Sequence, residues 1–324
     1  MLLDIQDLSI SFNTFEGNVH VLDGISFSVN EGEVLSIVGE SGSGKSVAAY
    51  SILGLLDNNS IIEGGSIKFC GTDLLKLSKK EIRKFRGKEI GMVFQEPMTA
   101  LHPTMKIGNQ LINVIKKNRN VSKKDAYTIM LDMLRDVHFD EPESLAKKYP
   151  YELSGGMRQR VVIALAMSSI PKLLIADEPT TALDVTIQKE ILSLMKELVD
   201  KHNTSILLIT HDLSIIKKFS NMVCVMYCGE IMEKGTVDDV LNRPRHPYTR
   251  ALLQALPEMV GASGRLREIK GEVPDLKYRP AGCIFTSRCL KCTEICKSKK
   301  PPQINISDSH TIRCWEGNKL WSQS

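Results

Sequence analysis

Eight consecutive residues, Gly39-Glu40-Ser41-Gly42-Ser43-Gly44-Lys45-Ser46, constrain this chain more than any other stretch. They fit the pattern G-x-x-x-x-G-K-[ST], with an apolar run at residues 33–38 before them and a helical pattern to about residue 56 after them. Glycines let a backbone curl until several N–H groups face one phosphate. The helix that follows presents its positive end to the same anion. Lys45 is placed to reach the β- and γ-phosphates, and the Ser46 hydroxyl to meet Mg²⁺. Such a loop belongs between a strand and a helix of an α/β layer. Alone it identifies a nucleotide site and no more.

The rest of the chain agrees with that layer. Residues 2–12, 19–29 and 64–70 read as strands, and residues 97–159 as a mainly helical, polar insertion. Strand and helix then alternate: strands at 173–177 and 205–210, helices at 186–201 and 213–219. Residues 222–227 and 230–234 flank Cys228-Gly229 as a hairpin would. Alternation of this kind predicts a parallel sheet. Near residue 258 the composition turns to Gly, Pro, Lys and Cys, so a large domain over 1–257 and a small one over 258–324 are expected. No apolar run approaches the roughly 18 residues that cross a bilayer. The start, MLLDIQDLSI, does not read as a signal peptide. The expectation is a cytoplasmic chain whose membrane role runs through a partner. A net charge of +4 argues against a nucleic-acid binder, and residues 281–324 alone hold seven Lys/Arg against three Asp/Glu.

Further motifs choose among nucleotide enzymes. Leu153-Ser154-Gly155-Gly156-Met157-Arg158-Gln159-Arg160 resembles the signature loop of ABC ATPases. Ser154 also suits an N-cap, although a cap alone does not need two glycines. Leu173-Leu174-Ile175-Ala176-Asp177-Glu178 resembles the Walker B strand with the family's extra acid, and Ala182-Leu183-Asp184 its D-loop. His211 resembles the switch histidine and Gln95 the Q-loop glutamine; Phe12, or alternatively Phe15, resembles the aromatic that stacks on adenine. The likeness covers about residues 1–255, with every motif in family order.

What the resemblance implies is an α/β P-loop NTPase of the ABC cassette type. It would have a RecA-like core, an antiparallel β subdomain, an inserted helical subdomain over about 97–159, and a small Cys-rich extension. Glu178 and His211 would be catalytic. ATP would meet Phe12, Gly39, Ser41, Gly42, Ser43, Gly44, Lys45, Ser46, Val47, Gln95, Ser154, Gly155, Gly156, Asp177 and Asp184. Mg²⁺ would sit at Ser46, Gln95 and Asp177. Two cassettes, related or identical, would sandwich ATP head to tail. The rival of another class is a soluble ABC ATPase acting on DNA or translation, which typically carries two cassettes or a coiled-coil insertion that this chain lacks.

Gln95-Glu96-Pro97-Met98-Thr99-Ala100-Leu101-His102-Pro103 and Arg245-His246-Pro247-Tyr248-Thr249-Arg250-Ala251-Leu252-Leu253 narrow the resemblance to di- and oligopeptide importer ATPases. The same subfamily holds nickel and opine importers. Gly271-Glu272-Val273-Pro274-Asp275 and Gly282-Cys283-Ile284-Phe285 resemble the tail of the peptide subunits. Implied partners are a second ATPase subunit, two permeases and, indirectly, an extracytoplasmic solute-binding protein, with no nucleic acid. The implied location is the cytoplasmic face of the cell membrane. These motifs do not touch the solute.

Cys70, Cys224 and Cys228 fall in strand-like segments and are expected as buried small apolar groups. The other five cysteines crowd the tail. Cys283, Cys289, Cys296 and Cys314 are separated by five, six and 17 residues, which resembles the 4Fe–4S pattern of some subfamily members. The basic tail suits an anionic cluster. Cys292 is a possible substitute, and Cys289-x-x-Cys292 keeps structural zinc as the alternative.

Overall fold

The computed structural model describes residues 1–15, 17–181, 183–255 and 268–317. The expected domain boundary at 257/258 lies outside them, as does Ala182 of the expected D-loop.

The chain opens with a long antiparallel pair, β1 (Leu3–Thr14) and β2 (Gly17–Val29), in register from Leu3 opposite Val29 to Thr14 opposite Gly17. β3 (Val34–Val38) carries the chain into the phosphate loop, and α1 (Lys45–Ile52) leaves it. α1 is shorter than the helical pattern suggests, because Gly54 turns to φ +58°. β4 (Ser60–Phe69) begins four residues before the expected strand and pairs with the free side of β1. A short β5 (Thr72–Asp73), α2 (Lys79–Ile82) and β6 (Ile90–Val93) follow.

A run of helices comes next: α3 (Pro97–Ala100), α4 (Ile107–Arg119), α5 (Lys123–Asp136), α6 (Pro142–Leu145) and α7 (Gly155–Met167). The chain then returns to β7 (Leu173–Asp177), α8 (Val185–His202), β8 (Ser205–Ile209), α9 (Leu213–Phe219), β9 (Met222–Tyr227) and β10 (Glu230–Thr236). α10 (Val237–Asn242) and α11 (Pro247–Gln254) precede the tail, which contains α12 (Glu294–Ser298), β11 (Gln303–Asn305) and β12 (Thr311–Arg313).

Among the described residues the larger sheet runs β11-β12-β10-β9-β3-β8-β7-β6. β6, β7, β8, β3 and β9 pair in parallel, and every residue of β3, β7 and β8 is buried. Helices cover both faces of such strands, which explains why they read as mostly apolar runs. One face packs α1 and the β1–β2–β4 sheet; the other packs α7, α8 and the helical run. No described helix is long and apolar enough to cross a membrane.

One cysteine departs from expectation. Cys70 is exposed, one residue past β4, with φ +47°; Cys228 is buried, in the turn of the expected β9–β10 hairpin, with φ +46°. Both occupy turns whose left-handed backbone the alternation of neighbouring residues does not reveal.

The tail is not a bead on a string. β12 pairs with β10, so the tail extends the sheet that carries the phosphate loop. A third apolar cluster joins the two, with the Phe285 ring 5.2 Å from those of Tyr227 and Tyr248. Phe285→Ala should lower stability by about 3–5 kcal/mol in urea unfolding, and the tail should become the first site of proteolysis. A loss below about 1 kcal/mol would mean that this aromatic contact does not anchor the tail.

Candidate functional site

The phosphate loop follows the carboxyl end of β3, the end at which parallel sheets bind ligands. Gly39 takes φ +154°, and a Cβ there would lie 2.0 Å from the Met226 carbonyl oxygen. Gly44 takes φ +96° beside Leu22 and Met226. The loop is braced from behind: the Gly229 N–H in the β9–β10 turn donates to the Ser43 carbonyl at 2.9 Å. The Lys45 side chain is buried, its Nζ donating to the Gly39 and Glu40 carbonyls at 2.9 Å each. Burial pulls its pKa below the ordinary value, and the carboxylates of Glu178, Asp177 and Glu40 push back.

The end of β7 faces that loop. Ser46 Oγ donates to Asp177 Oδ1 at 3.0 Å, and Asp177 Oδ2 is buried with no hydrogen-bond partner. Burial raises the Asp177 pKa above its ordinary value. A lone buried carboxylate oxygen next to a hydroxyl fits a hard cation such as Mg²⁺.

Glu178 adopts φ +46°, a left-handed conformation that costs a non-glycine residue about 1 kcal/mol or more. Its backbone is pinned there by a hydrogen bond from its N–H to the Ile209 carbonyl at 2.9 Å. Three side chains converge on one oxygen, Glu178 Oε2: Thr181 Oγ1 at 2.9 Å, Gln95 Nε2 at 3.3 Å and His211 Nδ1 at 3.3 Å. Residues 83 positions apart in sequence thus meet at one atom. The sequence motifs do not single out Thr181; its only signal is its place in the run after Glu178.

The signature residues lie at the start of α7. Ser154 caps it, accepting from the Met157 N–H at 3.3 Å. Cβ atoms at Gly155 and Gly156 would press on Leu183 at 3.3 Å and Ile187 at 2.9 Å, so the glycines also let α7 approach α8. Asp184 caps α8 through the Ile187 N–H at 3.0 Å. The Ser154 hydroxyl is thus engaged with its own helix and not with the phosphate loop of this chain. Phe12 is half-buried against the β1–β2 core, whereas the Phe15 ring is fully exposed.

In the tail, Cys283, Cys289, Cys296 and Cys314 line one small cavity with His246, Phe285 and Trp315. Cys292 does not line it; its sulfur lies 3.0 Å from Thr286 Oγ1. Among the described residues no group of three or more His, Cys, Asp or Glu is gathered closely enough to hold a metal ion. Burial pushes the Cys283 thiol up to about 12 and Cys289 to about 11. Of the tail's cations, Lys291 lines the cysteine cavity, whereas Arg288 pairs with Glu40, and Lys300 with Asp23 and Glu230. Arg288 and Lys300 thus neutralise acids of the larger domain.

A glycine-lined loop at the carboxyl end of a central parallel strand, facing a Walker B acid pair and accompanied by the signature loop at the start of α7, defines an ATP-binding cassette of the ABC class. The family model "ABC transporter" matches residues 22–181, and "Oligopeptide/dipeptide transporter, C-terminal region" matches residues 232–296. The chain is 48% identical over 316 residues to the oligopeptide transport ATP-binding protein OppD of Bacillus subtilis, covering 97% of this chain and 88% of that one. It is 43% identical to the dipeptide transport ATP-binding protein DppD of Escherichia coli, covering 97% and 96%. Among solved structures, the dimeric ABC transporter cassette MJ0796 superposes with a TM-score of 0.65 at 26% identity, covering 73% of this chain and 99% of that one. The chain belongs to the ABC transporter ATPases, in the oligopeptide and dipeptide transport ATP-binding family.

Gly39→Ala should weaken ATP binding by roughly tenfold or more, because the loop must abandon its φ or move the Met226 carbonyl. Calorimetric titration with ATP measures this; unchanged affinity would show that the loop tolerates a Cβ there.

Proposed function

We propose that this chain is the ATP-binding and hydrolysing subunit that energises di- and oligopeptide uptake through an ABC importer. The observation that carries the reading is the convergence of Gln95, Thr181 and His211 on Glu178, beside a phosphate loop and an unsatisfied Asp177. The match of the C-terminal region to peptide transporters supports the solute class.

Loop N–H groups of Gly39, Ser41, Gly42, Ser43, Gly44, Lys45, Ser46 and Val47 hold the phosphates, the Glu40 N–H being turned to Tyr248 instead, and Lys45 exchanges its own loop's carbonyls for β- and γ-oxygens. Phe12 stacks on adenine. Ser46, Asp177 and Gln95 hold Mg²⁺, which neutralises charge on the phosphates when bound. Glu178 orients a water and takes its proton as the oxygen bonds to the γ-phosphorus and ADP leaves. Thr181 and Gln95 fix the carboxylate for this, and His211 stands where it can reach the γ-phosphate.

Ser154, Gly155 and Gly156 act on the nucleotide of a facing cassette, and Asp184 lies at that interface. Their engagement with α7 and α8, rather than with the phosphate loop of their own chain, supports this reading. MJ0796, the solved cassette that this chain resembles, is dimeric. Closure around ATP and release after hydrolysis move two permeases at the cytoplasmic face of the membrane. A solute-binding protein outside the cell supplies the peptide. Residues 1–257 serve as the ATPase domain, with a helical subdomain over about 97–159, and 258–324 as the extension.

In the extension, Cys283, Cys289, Cys296 and Cys314 would hold a 4Fe–4S cluster. The support is the cavity that these four share and that Cys292 does not line. Such a cluster would supply a covalent staple to a segment with little core of its own.

Glu178→Gln should leave ATP binding intact while hydrolysis falls by about 10²–10⁴-fold, trapping a closed pair of cassettes visible by size-exclusion chromatography. Wild-type turnover would overturn the role of Glu178. Affinity purification from membranes should recover permeases, and cells lacking the chain should lose uptake of labelled peptides. An anaerobic preparation should be brown and contain iron and sulfide, lost in Cys283→Ser; stoichiometric zinc without iron would refute the cluster.

A further inference from the structure

Glu40 is the single acid within the phosphate loop, an unexpected charge beside a triphosphate. Its surroundings are built rather than incidental. Its backbone N–H donates to Tyr248 Oη at 3.1 Å, and its carbonyl accepts from Lys45 Nζ. Its carboxylate meets Arg288, which lies 248 residues away and immediately before Cys289. The Arg288 side chain is only 4% exposed.

A guanidinium has five N–H donors in a fixed fork. The contacts of Arg288 number the same. Nη1 faces Glu40 Oε2 and Tyr227 Oη; Nη2 faces Glu40 Oε1 and the Ile269 carbonyl; Nε faces the Lys270 carbonyl. The guanidinium also lies 5.7 Å from the Tyr227 ring centre. A lysine offers three donors and no fork, so it could not replace this set.

We propose that Arg288 is a positioning residue for the nucleotide site: it holds the Glu40 carboxylate away from the triphosphate and cancels its charge. The inference rests on the reading of residues 39–46 as the ATP phosphate cradle. The need for cancellation is plain from the loop. Glu40 is one of the three carboxylates whose charge reaches Lys45, the cation that must meet the phosphates. Unmasked, it would repel ATP from the loop that binds it. Arg288 therefore makes nucleotide affinity depend on the C-terminal extension being folded in place.

A simple staple between tail and loop would predict a different pattern. A staple fails whichever end is cut. A mask fails only when the cation is removed, and removal of the acid repairs the loss.

The test uses the full-length chain carrying Glu178→Gln, so that ATP is not consumed, and calorimetric titration with Mg-ATP. Arg288→Gln should bind ATP roughly tenfold more weakly, as expected for one unmasked charge near the phosphates. Glu40→Gln alone should bind at least as tightly as the parent, and Glu40→Gln with Arg288→Gln should return to within about twofold of it. Arg288→Lys should fall between. Unchanged affinity in Arg288→Gln, or a double variant as weak as Arg288→Gln, would overturn the proposal. Should Arg288→Gln fail to fold, weaker binding by Glu40→Gln alone would overturn it equally, and Arg288→Lys supplies the rescue arm. Lys45→Ala in the same assay separates the two failures: if it binds like the parent, the reading of the phosphate loop is wrong, not the mask alone.

Discussion

A buried ammonium organises this molecule. Lys45 has left water, and the structure supplies it with two carbonyls of its own loop and the field of three carboxylates. An ammonium in that position is costly without acceptors, so the loop must curl around it. Gly39 and Gly44 permit the curl, and Gly229 braces it through Ser43. A triphosphate offers the same ammonium better acceptors than carbonyls. Binding can thus proceed by exchange within a formed cradle.

The second acid centre stores its order differently. Glu178 is held in a left-handed conformation at the end of a fully buried strand. The conformation turns its carboxylate from the direction that strand alternation would give it toward Gln95, Thr181 and His211. Those three groups come from separate segments, so their agreement on one oxygen depends on the sheet order β6-β7-β8. Strain at one residue is tolerable because a buried parallel sheet fixes the residues on either side.

Much of this was legible in the sequence, for a physical reason. Phosphate loops, caps and strand-end acids are local: the atoms that act are within a few residues of one another, so the pattern survives in linear order. The central strands were legible because burial on both faces leaves mostly apolar residues, broken only by Ser36, Asp177 and Ser205 in β3, β7 and β8. Where contacts are non-local, legibility ends. Nothing near Arg288 announces Glu40, and nothing near Lys300 announces Asp23 or Glu230. The end of α1 and the exposure of Cys70 depended on left-handed turns at Gly54 and Cys70 itself. Thr181 was visible as a residue but not as a donor, since its role exists only once Glu178 has turned.

The tail's attachment follows from the same preference for shared charge and shared sheet. β12 adds to β10, and the β9–β10 turn is the element that braces the phosphate loop. Arg279 reaches the Cys228 carbonyl in that turn at 2.9 Å, while its other nitrogen reaches the His20 carbonyl on β2 at 3.2 Å. Glu230, buried at the start of β10, collects Arg279, Lys300 and Arg313. Each cation would be expensive to bury alone, and Glu230 would be expensive to bury unpaired. Tail and turn are therefore mutually required: the acid selects the tail's position, and the tail neutralises the acid next to the loop. A segment with few apolar residues can be placed accurately in this way, because ion pairs fix direction where a small core would fix only proximity.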